Sequence, residues 1–173
     1  KSKLVEMDPD NESFYLDNAS RYLGKLILLD RGIQAAVPTI PEGNRRLLTY
    51  HDSWAYFARR YGMTVIGAIQ PSDFSEPSPK EVAALIDQIK REKVPAIFGS
   101  EVYPSKVEEQ IARETGVSYV TTLRDDALPG KPGEAIHSYV GMMLENMRSM
   151  IGPLGGRIDA LQGIDPGSLC RRE

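Results

Sequence analysis

Apolar residues recur along the first part of the chain at helical steps. Tyr15, Ala19, Tyr22, Leu26, Leu29, Ile33 and Val37 succeed one another at three- and four-residue intervals, after the helix-start signal Asp8-Pro9-Asp10-Asn11. One long helix is expected, and Leu16, Leu23 and Ile27 widen its stripe enough to predict burial along much of its length. Pro38 and Pro41 end it, and Glu42-Gly43-Asn44 turns the chain into the first strand. The period then changes. A short apolar run of β-forming residues from Leu47 to Tyr50 stops at His51-Asp52-Ser53, and an aromatic-rich segment at helical spacing runs on to Gly62.

Three further strands are expected at 63–69, 94–99 and 117–123, with helices between them. Ser78-Pro79-Lys80-Glu81 reads as a capping box with proline in the first turn, and Val82, Leu85, Ile86 and Ile89 give its helix one apolar face. Ser105-Lys106-Val107-Glu108 is a second capping box, opening a helix that closes at Gly116. After the loop 124–133 a last helix is expected to carry His137 early and to turn Tyr139, Val140, Met143, Leu144 and Met147 inward. Strands alternating with helices predict an α/β fold: a four-stranded parallel sheet with helices on both faces, preceded by one long linker helix. The expected parts are a connecting helix over 1–41, an α/β lobe over 42–152, and a poorly ordered tail over 153–173, where Gly155, Gly156, Gly163, Pro166 and Gly167 break any period.

Composition narrows the partners. At 173 residues, 41% hydrophobic and 26% charged, the chain suits one domain with a proper core. The net charge of -3 and the absence of a basic run argue against nucleic acid or an anionic membrane as partner. No apolar stretch is long enough to span a bilayer, and the opening Lys1-Ser2-Lys3-Leu4-Val5-Glu6 has no signal-peptide core. The single cysteine, Cys170, forms no internal disulfide and rules out a thiolate zinc cluster, so a metal site would use imidazole and carboxylate.

In this layout three loops bearing acid or imidazole fall at the carboxyl edge of the sheet, where ligands gather in open α/β folds. They carry His51-Asp52, Ser100-Glu101 and Asp125-Asp126. Imidazole with carboxylate suits zinc or manganese. Glu101 equally fits a place near the start of the next helix, and the two adjacent aspartates fit a solvated turn whose mutual repulsion a cation would relieve. His137 is expected to be carried away from the loop tips by its helix. No glycine-rich loop opens a helix after the first strand, and no Gly-x-Ser-x-Gly elbow occurs, so nucleotide-binding and serine-hydrolase readings lack their main requirement.

Several motifs in order then resemble one family. They are the run Thr49-Tyr50-His51-Asp52-Ser53-Trp54-Ala55-Tyr56-Phe57-Ala58-Arg59-Arg60-Tyr61-Gly62, the segment from Ser78 to Val94 with Pro95-Ala96-Ile97-Phe98, the segment Glu109-Gln110-Ile111-Ala112-Arg113-Glu114-Thr115-Gly116, and Asp126-Ala127-Leu128 with Tyr139 and Met142-Met143. Together they resemble the carboxyl-terminal half of the zinc- and manganese-binding solute receptors of bacterial ABC importers, up to about Gly152. The resemblance implies two α/β lobes joined by one long rigid helix, with the metal held between them by two histidines from the first lobe and a histidine or glutamate plus an aspartate from the second. Carried over by motif, His51 takes the histidine-or-glutamate position and Asp126 the aspartate, with Asp125 as its rival. Glu101 lies where some members have acidic residues.

The first lobe is not in this chain, which therefore looks like a second lobe with its linker helix. The resemblance implies zinc or manganese bound weakly, an ABC permease as partner of the complete protein, a periplasmic or cell-surface location, and binding without catalysis. A competing expectation is a small metal-dependent hydrolase using His51 and Asp126, and a third is an interaction scaffold with a vestigial metal site. A connecting helix that has lost one lobe is expected to expose an apolar strip and to favour a homodimer.

Overall fold

The computed structural model describes residues 1–70, 77–100 and 106–167. A short helix α1 (Ser2–Met7) leads through one 3-10 turn into α2 (Glu12–Ala36). The lobe comes next as β1 (Arg46–His51), α3 (Ala55–Tyr61), β2 (Thr64–Gln70), α4 (Pro79–Glu92), β3 (Ala96–Ser100), α5 (Lys106–Thr115), β4 (Ser118–Leu123) and α6 (Tyr139–Ile151). All strand pairings are parallel, and the order across the sheet is β2-β1-β3-β4, the four-stranded parallel sheet expected from the alternating pattern.

Neighbouring residues of one strand point to opposite faces, and each face has its own helical layer. Leu47 and Phe98 pack with Leu29 and Ile33 of α2, Ala58 of α3 and Leu144 and Met147 of α6. Leu48 and Ile97 pack with Val82, Ile86 and Ile89 of α4 and Ile111 of α5. Cover on both sides explains why the strands read as near-continuous apolar runs. Local signals set the helix ends: the Ser78 side chain accepts from Glu81 N at 3.4 Å while the Glu81 carboxylate accepts from Ser78 N at 2.7 Å, and Gly62, at φ 72°, takes the left-handed conformation that stops α3.

Two expectations change. The long helix exists, but only its carboxyl-terminal turns are buried, at Leu29, Gly32, Ile33 and Ala36; Phe14 at 62%, Leu23 at 57% and Leu28 at 57% remain exposed. A periodic stripe identifies which residues share a face, not what covers that face, and the lobe reaches only one end of the helix. There Asp30 accepts from Arg60 Nε at 2.7 Å and from Tyr61 Oη at 2.8 Å, tying α2 to α3. The Arg60 guanidinium lowers the Asp30 carboxyl below its ordinary range, and burial helped by Asp30 pushes the Tyr61 phenol up to about 12.

The second change concerns residues 153–167, where the glycines suggest a loose tail. Leu154 and Leu161 are instead buried in the core beside α2. Gly32 makes room for them, since a Cβ there would lie 2.9 Å from Leu161 Cδ2 and 3.0 Å from the Ala160 carbonyl oxygen. Asn44 Nδ2 donates to the Leu154 carbonyl at 3.0 Å and Lys25 Nζ to Asp165 Oδ2 at 2.6 Å, so polar bonds also fasten this segment. Among the described residues no helix is long and apolar enough to cross a membrane.

Candidate metal site

The strand order creates the site. From β1 the chain turns through α3 to β2 on one side, and from β3 it turns through α5 to β4 on the other. The two loops diverge and leave a crevice outside the carboxyl ends of β1 and β3, the place where open α/β sheets bind ligands. Here the crevice is about 10 Å³, lined by His51, Trp54, Phe98, Ser100 and Asp125 among others. That is room for about one water-sized particle.

His51 is the last residue of β1 and is half-buried. Its ring meets the Tyr50 ring edge-on, with centroids 4.6 Å apart, and its carbonyl accepts from Thr49 Oγ1 at 2.8 Å. Trp54, buried at the start of α3, closes the crevice beneath. From the other side comes the loop after β4. Asp125 is half-buried and its Oδ2 accepts from Ser53 Oγ at 2.8 Å, a bond that joins the β1 and β4 loops across the switch point. Asp126, the next residue, is exposed.

The structure thus brings His51 and Asp125 to one crevice, with Asp126 adjoining. Glu101 lies outside the described residues, as does Ser105 of the second capping box. Among the described residues no three His, Cys, Asp or Glu side chains gather within reach of one ion.

The expected place of His137 is corrected. Helix α6 begins only at Tyr139, because Ser138 caps it by accepting from Gly141 N at 2.9 Å. His137 therefore lies in the loop, where its Nδ1 is 3.1 Å from the Pro129 carbonyl oxygen and folds the loop on itself. Tyr139, expected to point inward, is 47% exposed, because the first position of the helix faces away from the sheet.

Three features of the lobe are not evident from the sequence. One is the Ser53–Asp125 bond. Another is Asn146 of α6, fully buried, whose Oδ1 accepts from Arg124 N at 2.8 Å and whose Nδ2 donates to Arg124 O at 2.7 Å. An asparagine interrupting the apolar run Met143-Leu144 and Met147 was the available signal. The third is Glu108, read as a capping residue but fully buried under α5, where Oε2 accepts from Tyr119 Oη at 2.8 Å and Oε1 has no partner among the described residues. Burial pushes its carboxyl up to about 7, against the lowering effect of the Tyr119 bond.

Known proteins are similar to this chain in sequence and fold. The family model described as zinc-uptake complex component A, periplasmic, matches residues 1–152. The manganese-binding lipoprotein MntA of Halalkalibacterium halodurans is 28% identical over 154 residues, which are 89% of this chain and 51% of that protein. The iron-binding protein YfeA of Yersinia pestis is 29% identical over 143 residues, 83% of this chain and 46% of that one. Among solved structures, the periplasmic zinc-binding protein TroA from Treponema pallidum superposes with a TM-score of 0.78 at 29% identity, covering 88% of this chain and 57% of its own. The chain spans about half the length of the curated relatives it matches. With the family model matched from Lys1 to Gly152 and the sheet, long helix and crevice in place, the chain belongs to the periplasmic zinc-uptake component A family.

Proposed function

We infer that this chain is the metal-binding lobe of a solute receptor that delivers a divalent transition-metal ion, zinc or manganese, to an ABC permease. The observation that carries the reading is the crevice at the switch point, where the strand-end imidazole of His51 meets the carboxylate-bearing loop after β4. A nitrogen donor beside oxygen donors suits zinc and manganese, and no soft ligand is needed. By motif Asp126 is the ligand on the β4 loop, and Asp125, which lines the crevice and accepts from Ser53 Oγ, is its rival. Names among the relatives carry manganese, iron and zinc, which supports a transition metal as cargo. The relatives named lipoprotein or periplasmic support a periplasmic or cell-surface location, and the role is binding without turnover.

Residues 1–41 act as the connecting helix and 42–152 as the lobe. The exposed apolar face of α2, with Leu16, Leu23 and Ile27, supports contact with a further body, and in this chain alone it favours a homodimer. Light scattering at increasing concentration checks this; a strictly monomeric species at high concentration contradicts it.

Two donors make a partial site, and the remaining positions fall to water. Binding is expected on the order of micromolar or weaker. Titration calorimetry with zinc and manganese tests the site, with His51→Ala and Asp126→Ala expected to abolish measurable binding and Asp125→Ala to weaken it less. Affinity unchanged by His51→Ala and Asp126→Ala shows that the metal binds elsewhere.

A further inference from the structure

We propose that Asn146 is a positioning residue of the metal site, fixing through its side-chain amide the main chain of Arg124 and with it the carboxylates of Asp125 and Asp126. The inference rests on the reading of His51 and Asp126 as ligands. Asn146 stands on the buried face of α6 among Met143, Leu144, Met147 and Met150, where an apolar side chain would pack as well. A buried amide in such a place is costly unless every polar atom finds a partner. Here both ends do, and both go to one residue: Arg124 N donates to Oδ1 at 2.8 Å and Nδ2 donates to Arg124 O at 2.7 Å.

Two bonds to one peptide unit on each side of a Cα fix its rotation as well as its position. That matters because β4 ends at Leu123, so Arg124 is the hinge from which the loop leaves the sheet. Asp125 and Asp126 are the next two residues. Asp125 is then held from the opposite side by Ser53, at 2.8 Å. Further contacts run between the same elements, Thr122 Oγ1 to Ser149 Oγ at 2.9 Å and Arg124 Nε to Glu145 Oε2 at 3.4 Å, but these join side chain to side chain and not side chain to main chain. Asn146 is the side chain that sets the peptide plane. The aspartates are thereby aimed before any metal arrives, and supports of this kind usually change metal affinity by about 10- to 100-fold when removed.

Zinc titration calorimetry on the intact chain tests this, at a temperature where circular dichroism shows each variant folded. Asn146→Leu removes both bonds and keeps the branched shape of the side chain. Met150→Ala, on the same buried helix face and away from Arg124, is the control for lost stability alone. The expected result is a zinc affinity about 10- to 100-fold weaker in Asn146→Leu and within about 2-fold of wild type in Met150→Ala. Should Asn146→Leu fail to fold, Asn146→Asp serves, because a neutral carboxyl reproduces one acceptor and one donor while the ionised form loses the donor. At a pH where circular dichroism shows both variants folded, zinc affinity then falls further in Asn146→Asp than in Met150→Ala, which a purely structural role does not produce. His51→Ala and Asp126→Ala are run beside them. If these abolish binding while the Asn146 variants bind like Met150→Ala, the positioning role is overturned and the site stands. If they bind like wild type, the site reading fails and the positioning role falls with it.

Discussion

Gly141→Ala is expected to lower the thermal midpoint by on the order of 10 °C, from a loss of about 3 kcal/mol in a domain of this size. Gly141 is the third residue of α6, and the loop after β4 closes directly against it. A Cβ at this position would run into the Ile136 carbonyl oxygen, with the carbonyl carbon 2.8 Å away and the Ile136 Cα 3.0 Å away. All three are backbone atoms, so no rotamer change relieves the clash. The helix start or the loop must move, and either motion loosens the Ser138 cap, whose hydroxyl accepts from the Gly141 amide. Gly152→Ala is the comparison. Gly152 has φ -60° and ψ -55°, and a Cβ there would meet only the Arg148 carbonyl oxygen at 3.8 Å. That substitution should be neutral or mildly stabilising. Thermal melts of both variants decide the matter, and a Gly141→Ala protein as stable as wild type contradicts the packing described.

Glu108→Gln is expected to change how stability depends on pH. The folded carboxyl has its pKa pushed up by burial to about 7, whereas the ordinary glutamate value is 4.5. Between these values the folded chain holds a proton that the unfolded chain has lost, so unfolding becomes easier as pH rises. The stability tied to this proton is fully present below 4.5 and is lost as pH rises through about 7. Glutamine keeps an acceptor for the Tyr119 hydroxyl and cannot ionise. Relative to wild type, Glu108→Gln should therefore gain on the order of 3 kcal/mol between about pH 5 and about pH 8. Urea unfolding of both proteins at the two pH values measures this double difference. Parallel pH profiles would show that Glu108 does not titrate in the folded state.

Much of the scaffold was legible because period and punctuation agree. Leu47 and Leu48 sit on opposite faces of one strand, as a doubly covered strand requires, and the Ser78 box and Gly62 mark helix ends by local chemistry alone. His51 was legible for the same reason: a β-forming run that stops at a polar trio places its last residue at the sheet edge. What the sequence hid was tertiary. The α2 stripe is continuous from Tyr15 to Val37, yet the lobe covers only the part from about Leu26 onward. Leu161 looked like part of a loose tail because nothing local reveals that Gly32, more than a hundred residues earlier, leaves space for it. Glu108 fitted a cap motif, and its burial depends on α5 lying over β4. The tie between the β1 and β4 loops was hidden likewise, since the Ser53 hydroxyl reaches Asp125 from another loop.

The most direct measurement uses the fact that the chain has two histidines. Long-range proton–nitrogen NMR of the imidazole rings in 15N-labelled protein reports each ring nitrogen separately, and His51→Ala assigns the pair. On adding zinc, one nitrogen of the His51 ring is predicted to move to a metal-bound position while the His137 signals stay where they are. Movement of His137 instead, or two unmoved rings at saturating zinc, would contradict a metal site built on His51.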